Sequence, residues 1–477
     1  MTARTGPGPL CAALAGSLLA AAATAGPFAD PLGTRRLLDS GAAGIADPGE
    51  RHCELPAHAL ALGEAVELAL CRNPATRAAW AAAHQQAAEL GVAEATYLPS
   101  ISATGSENWV RGPRYVAGSS GFMLDAESLR TADAALNLSL TLFDFGARHA
   151  RVTSARHLLE AAAAGANSAS QQVVLGAVEA YYGVVAAQGA LEAASKAEAA
   201  AAHSRDVARG RRDAGVATRA DLLQAETAYD QAVLNRVQSA GMLKGAQGTL
   251  AVTIGAPADR ELALSAEPVP AEVPALSARV ADLMAEAARQ RPDLAAAEAA
   301  RAAADADLSA ARASTRPVIT LGAARNFVQS PGAANQNYNT LALSVSIPIF
   351  TGLDATYRVR AAEAALAERS ATAEQVRLQV SLDVWNAYAA LDSAGQQLRA
   401  TSALLASARE NEEVALGRYQ AGVGTIVDVL TAQSAAAAAR QQRIAAEQAW
   451  QVARAQLALS LGRLTSAEPL NAAAEGR

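Results

Sequence analysis

The chain has 477 residues, a formal net charge of -6, and 51% hydrophobic but only 4% aromatic residues. The acidic balance argues against a nucleic-acid partner, whose binding face should be basic. About a quarter of the residues are alanine, which favours helix, and three cysteines are too few for a dense disulfide scaffold or a four-cysteine zinc site.

Arg4 is the only charged residue before Asp30, an apolar run spans Leu10 to Ala23, and Ala23-Thr24-Ala25 supplies small residues for cleavage. Residues 1–25 therefore read as a secretory signal peptide. Leu10 stands before Cys11 where lipoprotein processing needs a small residue, so lipidation is not expected. No later stretch of 18 apolar residues suggests a helical membrane anchor. Export would put Cys53 and Cys71 in an oxidising compartment. There they could pair and tie the N-terminal periplasmic segment, 26–59, to the first helix.

The remainder repeats itself. Pro74 and Pro99 match Pro292 and Pro317 at one separation, 218 positions. Tyr181, Gly215 and Gly255 match Tyr388, Gly422 and Gly462 at 207. The units are 60–255 and 281–464, joined by a proline-rich linker, 256–280, and followed by a tail, 465–477. Two copies are too few for a solenoid.

In chain order, each unit opens with helix. Asn73 suits an N-cap, Pro74 the first turn, and Pro99 stops the helix expected over Ala75 to Tyr97. Strands follow. Leu136, Leu138, Leu140 and Leu142 alternate with polar residues, as do Leu341, Leu343, Val345 and Ile347; shorter alternations begin at Ile101 and Ile319. Arg111 to Thr131 and Val328 to Asn339 are rich in Gly, Ser, Pro and Asn and are expected to be turn-forming loops. Ala147 to Ala214 and Leu353 to Ala421 lack proline and as helices would each span roughly 100 Å. Gly215 and Gly422 break them, and Thr218 and Thr425 can cap return helices reaching Thr253 and Ser460. The fold class is mixed, mostly α.

Four amphipathic strands need cover for one face. A transmembrane barrel provides it, with apolar side chains to lipid and polar ones to a lumen. Four strands cannot close one, so several chains are needed: two for eight strands or three for twelve.

The duplicated unit, the junctions Leu142-Phe143-Asp144-Phe145-Gly146 and Ile347-Pro348-Ile349-Phe350-Thr351-Gly352, and the tip Arg418-Tyr419-Gln420-Ala421-Gly422-Val423-Gly424-Thr425-Ile426-Val427-Asp428 resemble the TolC family of outer-membrane channels. The resemblance covers about Leu60 to Leu464. It implies a homotrimer with a 12-stranded barrel in outer-membrane lipid and an α-helical periplasmic tunnel. It also implies docking through a periplasmic adaptor on an inner-membrane transporter of ABC type, at tips built from Gly215, Thr218, Gly422, Gly424 and Thr425. Asp428 matches a carboxylate ring at the periplasmic entrance. A second family carboxylate is Thr431 here. Tyr419 and Asp221 match a pair that latches the entrance, and a latching arginine is replaced by Gly424. For Asp221 and Asp428 a plain helix N-terminal charge is the competing reading.

The opening Ala69-Leu70-Cys71-Arg72-Asn73-Pro74, with Cys53 upstream, resembles the branch serving type I protein secretion. That implies an exported protein, such as an RTX-type toxin, as cargo; drug or metal efflux is the alternative. Rivals of another class, a periplasmic adaptor or a structural coiled coil, do not account for two helical hairpins with four alternating strands. No catalytic or metal-binding residue and no cofactor are expected. Asp144-Phe145-Gly146 lacks every companion kinase motif, and the six histidines form no HExxH pattern.

Overall fold

The computed structural model describes residues 30–34, 38, 53–56, 58–111, 114–118, 121–125, 128–265, 279–329 and 335–464. The signal peptide and the tail 465–477 lie outside the described residues.

The opening helix of each unit is in fact two helices meeting at a bend. Helices α1 (Leu62–Arg72) and α2 (Pro74–Ala95) meet at Asn73; α5 (Val280–Gln290) and α6 (Pro292–Ala313) meet at Arg291. Proline at the first position of α2 and α6 excludes helix at the residue before it. The bends are held differently. The Asn73 side chain accepts from the Ala75 N–H at 2.9 Å and donates to the Thr253 carbonyl at 3.0 Å. Arg291 instead pairs with Asp293 and reaches Asp383 at 3.1 Å.

Four strands form one antiparallel sheet, β1 (Ser100–Arg111), β4 (Ser128–Phe143), β5 (Val318–Gln329) and β6 (Gln336–Ser346), in that order. The register puts the alternating apolar residues as far as Leu140 on one face; a bulge between Thr141 and Phe143 then sets Phe143, rather than Leu142, opposite Ile319. Ile101 pairs with Leu138, Leu138 with Ala323, and Ala323 with Leu341; Leu140 pairs with Leu321, and Leu321 with Leu343. Among the described residues nothing covers this face: Ile101, Leu341 and Leu343 are 63%, 78% and 66% exposed.

The loop expected over Arg111 to Thr131 is corrected. Strands β2 (Arg114–Gly118) and β3 (Gly121–Asp125) pair there, continuing the arm of β1 and β4. β5 and β6 likewise run into the second expected loop, to Gln329 and from Gln336. Turn-forming residues dominated the composition of both segments, but a hairpin needs them only at its reversal.

Sheet gives way to helix at two left-handed turns, Phe145–Gly146 and Gly352–Leu353. The long helices α3 (Ala147–Asp213) and α7 (Asp354–Gln420) follow, returning as α4 (Arg219–Thr253) and α8 (Ile426–Ser460). α3 is by length and composition apolar enough to cross a membrane, contrary to the expectation from the sequence. Its alanines and valines instead face α1, α2, α4, α6 and α8. The helix ends fit closely at the bends. A β-carbon on Gly255 would lie 2.7 Å from the Arg72 Cβ, and one on Gly462 would lie 2.7 Å from the Gln290 carbonyl.

The described residues of the N-terminal segment pack chiefly against the first unit. Leu38 packs with Trp80, Leu90 and Leu159. Cys53 and Cys71 form a disulfide, and the Arg72 Nη1 donates to the Cys53 carbonyl at 2.8 Å. Leu60 bridges to Leu264 at the start of the linker, and the Tyr181 hydroxyl bonds the Ser265 carbonyl at 2.5 Å.

Candidate functional site: the tips of the helical hairpins

The two tips are built alike. Each long helix ends in a left-handed glycine, Gly215 (φ 74°) or Gly422 (φ 79°). The Val216 N–H bonds the Arg211 carbonyl at 2.9 Å and the Val423 N–H bonds the Arg418 carbonyl at 3.0 Å, closing a Schellman turn in each copy. A threonine then caps the return helix. Thr218 Oγ1 accepts from the Asp221 N–H at 3.1 Å, and Asp221 Oδ2 accepts from the Thr218 N–H at 2.8 Å. Thr425 and Asp428 repeat the box at 3.2 and 3.0 Å.

Both aspartates therefore have a local structural job. Asp428 is exposed. Its carboxyl is held below the usual range first by the Thr425 backbone N–H, then by the Thr425 hydroxyl at 2.8 Å. It carries a full negative charge at neutral pH, at a helix N-terminus that favours it. Thr431 is exposed one turn on. With Gln224, Val427, Leu430 and Ser434 it lines an open groove between the return helices.

The tips meet within the chain. Ala208, Leu222 and Ala225 of the first hairpin pack against Tyr419, Ile426 and Val429 of the second. Tyr419 is buried, yet its hydroxyl has no hydrogen-bond partner. Burial pushes that hydroxyl's pKa up. The hydroxyl–carboxylate tie implied by the resemblance is thus not formed: Tyr419 and Asp221 share the seam, but no hydrogen bond joins them. Gln420 lies 3.4 Å from His203, Gln433 donates to the Ser204 hydroxyl at 2.9 Å, and at Tyr419 itself the crossing bond comes from Arg211, which sequence reasoning missed. Its Nη1 donates to the Tyr419 carbonyl at 2.5 Å, and its guanidinium lies 4.8 Å from the Tyr419 ring centre. The repeat held a hint, since Arg211 and Arg418 stand 207 positions apart, the separation of the tips. Position 424 is crowded: a β-carbon there would lie 3.2 Å from the Arg418 Cβ and the Tyr419 nitrogen.

Comparison with known proteins fits this geometry. The family model described as outer membrane efflux protein matches residues 65–256 and 283–463, the two repeats without the linker. The chain belongs to the outer membrane efflux protein family. Protein CyaE of Bordetella pertussis is 32% identical over 390 residues, 81% of this chain and 80% of the relative. Outer membrane efflux protein BepC of Brucella suis is 24% identical, over 79% of this chain and 80% of its own. Among solved structures, the outer-membrane channel OprN superposes with a TM-score of 0.75 at 22% identity, covering 89% of this chain and 97% of that one. This family member is a TolC-like outer-membrane channel protein that extends into the periplasm. Its family and structural neighbours are channels rather than enzymes, which supports a non-enzymatic role. The hairpin tips lie at the other end of α3 and α7 from the sheet.

Proposed function

We propose that three copies of the chain form the exit duct of a type I secretion system, exporting a protein across the outer membrane. The observation that carries this is the open four-stranded sheet whose apolar face is uncovered. β1 and β6 form its two free edges. All neighbours in the sheet are antiparallel, so β1 and β6 run in opposite directions. β6 of one copy therefore matches β1 of the next in the sense a closed antiparallel barrel requires. Three copies give twelve strands, the number the family resemblance implies, with Ile101, Leu341 and Leu343 towards lipid and Asn137, Thr320 and Ser344 towards the lumen. The helices support association too. Leu378, Leu382 and Trp385 on α7 and Leu234, Val237 and Met242 on α4 are exposed in the single chain, more apolar surface than a lone soluble bundle would present.

The tips then surround the periplasmic entrance and meet the adaptor, which connects them to an inner-membrane transporter that supplies the energy. Three Asp428 carboxylates make the entrance favour cations over anions. Thr431 in place of a second carboxylate leaves that ring single. Secretion is preferred to drug or metal efflux on the Ala69–Pro74 opening and Cys53, and because the efflux protein BepC is more distant than CyaE. Deleting the gene and comparing secreted proteins and drug susceptibility tests this reading. Loss of one large exported protein with unchanged susceptibility supports it. Unchanged secretion with heightened drug sensitivity moves the protein to efflux.

A further inference from the structure

We infer that Arg211 is the positioning residue that holds the two hairpins of each chain together at the tip, and that releasing it widens the entrance. This rests on the channel reading above. Two helical hairpins packed side by side can shift relative to one another unless something joins them at the free end. Besides the small apolar cluster and the amide contacts of Gln420 with His203 and of Gln433 with Ser204, the contact that does so here is the Arg211 fork, which both bonds the Tyr419 carbonyl and stacks on its ring. A guanidinium can make both contacts at once because it is planar and always charged.

Three features make the assignment specific. The equivalent residue of the second copy, Arg418, is exposed, so the duplication is broken at this pair. The guanidinium lies against the turn itself: a β-carbon on Gly422 would sit 3.7 Å from the Arg211 Nη2, in ordinary van der Waals contact. The obvious competitor is unengaged, because the Tyr419 hydroxyl has no partner while Asp221 caps its own helix. The Arg211 Nε is also buried without a partner. The seam thus carries two unsatisfied polar groups, whose cost is offset only while the crossing bond and the apolar cluster persist. Such a seam is poised to part when an outside contact competes for the tip.

The test uses purified full-length protein in planar lipid bilayers, with heat-modifiable migration checking assembly. Arg211→Ala should raise conductance of the resting channel about tenfold, as the loss of one charge-assisted hydrogen bond implies, without loss of assembly. Tyr419→Phe keeps ring and carbonyl and should move it far less. Arg418→Ala should leave it unchanged. If Arg211→Ala does not assemble, Arg211→Lys, which keeps the charge but not the planar fork, should raise conductance in the same direction. Wild-type conductance in the Arg211 variants, or opening by Tyr419→Phe as large as by Arg211→Ala, overturns the inference while leaving the channel reading intact. Absence of any channel in the wild type overturns both.

Discussion

Arg148 and Asp144 are joined at 3.0 Å across the turn where β4 becomes α3. Both side chains are about nine-tenths buried. The same guanidinium lies 3.4 Å from the carbonyls of Thr96 and Leu142 and 4.7 Å from the Tyr97 ring centre. One residue thus gathers the end of α2, the end of β4 and the start of α3. In the second copy Thr351 stands where Asp144 does and accepts from the Ala355 N–H at 3.4 Å, and the neighbouring ion pair, Asp354 with Arg358, is exposed. The first unit therefore fixes the sheet to the helices more firmly than the second.

Arg148→Ala should destabilise the protein by about 3 kcal/mol, because it leaves Asp144 buried without its cation. Arg358→Ala, which breaks an exposed pair, should cost about 0.5 kcal/mol. Thermal unfolding of the two purified variants separates them.

The membrane face gives a contrast within one strand. Leu343→Lys should cost about 2–4 kcal/mol if Leu343 faces lipid near the bilayer centre. Ser344→Lys, on the opposite face of β6, should cost much less. The share of each variant recovered as heat-modifiable protein in the outer-membrane fraction reads the difference.

The alternation that made this face legible was plain from Leu136 to Leu142 and from Leu341 to Ile347, because one solvated and one lipid-facing side imposes period 2. The Gly-Thr tips were equally plain, since a left-handed turn and a capping box each demand particular residues at Gly215, Thr218 and Asp221. The break at Asn73 was half legible: Asn-Pro announced a helix start, but not the 11-residue helix before it. β2 and β3 were hidden among glycines and serines. Arg211 was hidden for another reason. Its partner is a backbone carbonyl 208 positions away, and a carbonyl leaves no mark in a sequence.

The disulfide closes a loop of 18 residues, for which chain entropy suggests about 3 kcal/mol. Reduction, or Cys71→Ser, should free the N-terminal segment first. Limited proteolysis should cut within 26–59 faster in the reduced protein while the helices stay protected.

Asp428 sets a pH dependence whose sign is fixed. Its folded pKa lies below the ordinary 3.8, so the stability it lends is fully present above that value. It is lost as pH falls through the lower folded value. Cation preference of the channel should therefore hold from neutral pH down to about 4 and decline only in stronger acid. Asp428→Asn, which keeps an oxygen for the Thr425 N–H, should abolish the preference at every pH with little effect on the helix. Reversal potentials in a salt gradient measure both.

The central claim is that one open sheet becomes a closed duct by threefold association. Native mass spectrometry of the protein extracted from the outer membrane in mild detergent counts the chains directly. Three chains per particle are predicted. A monomer, or a count other than three, would contradict the account.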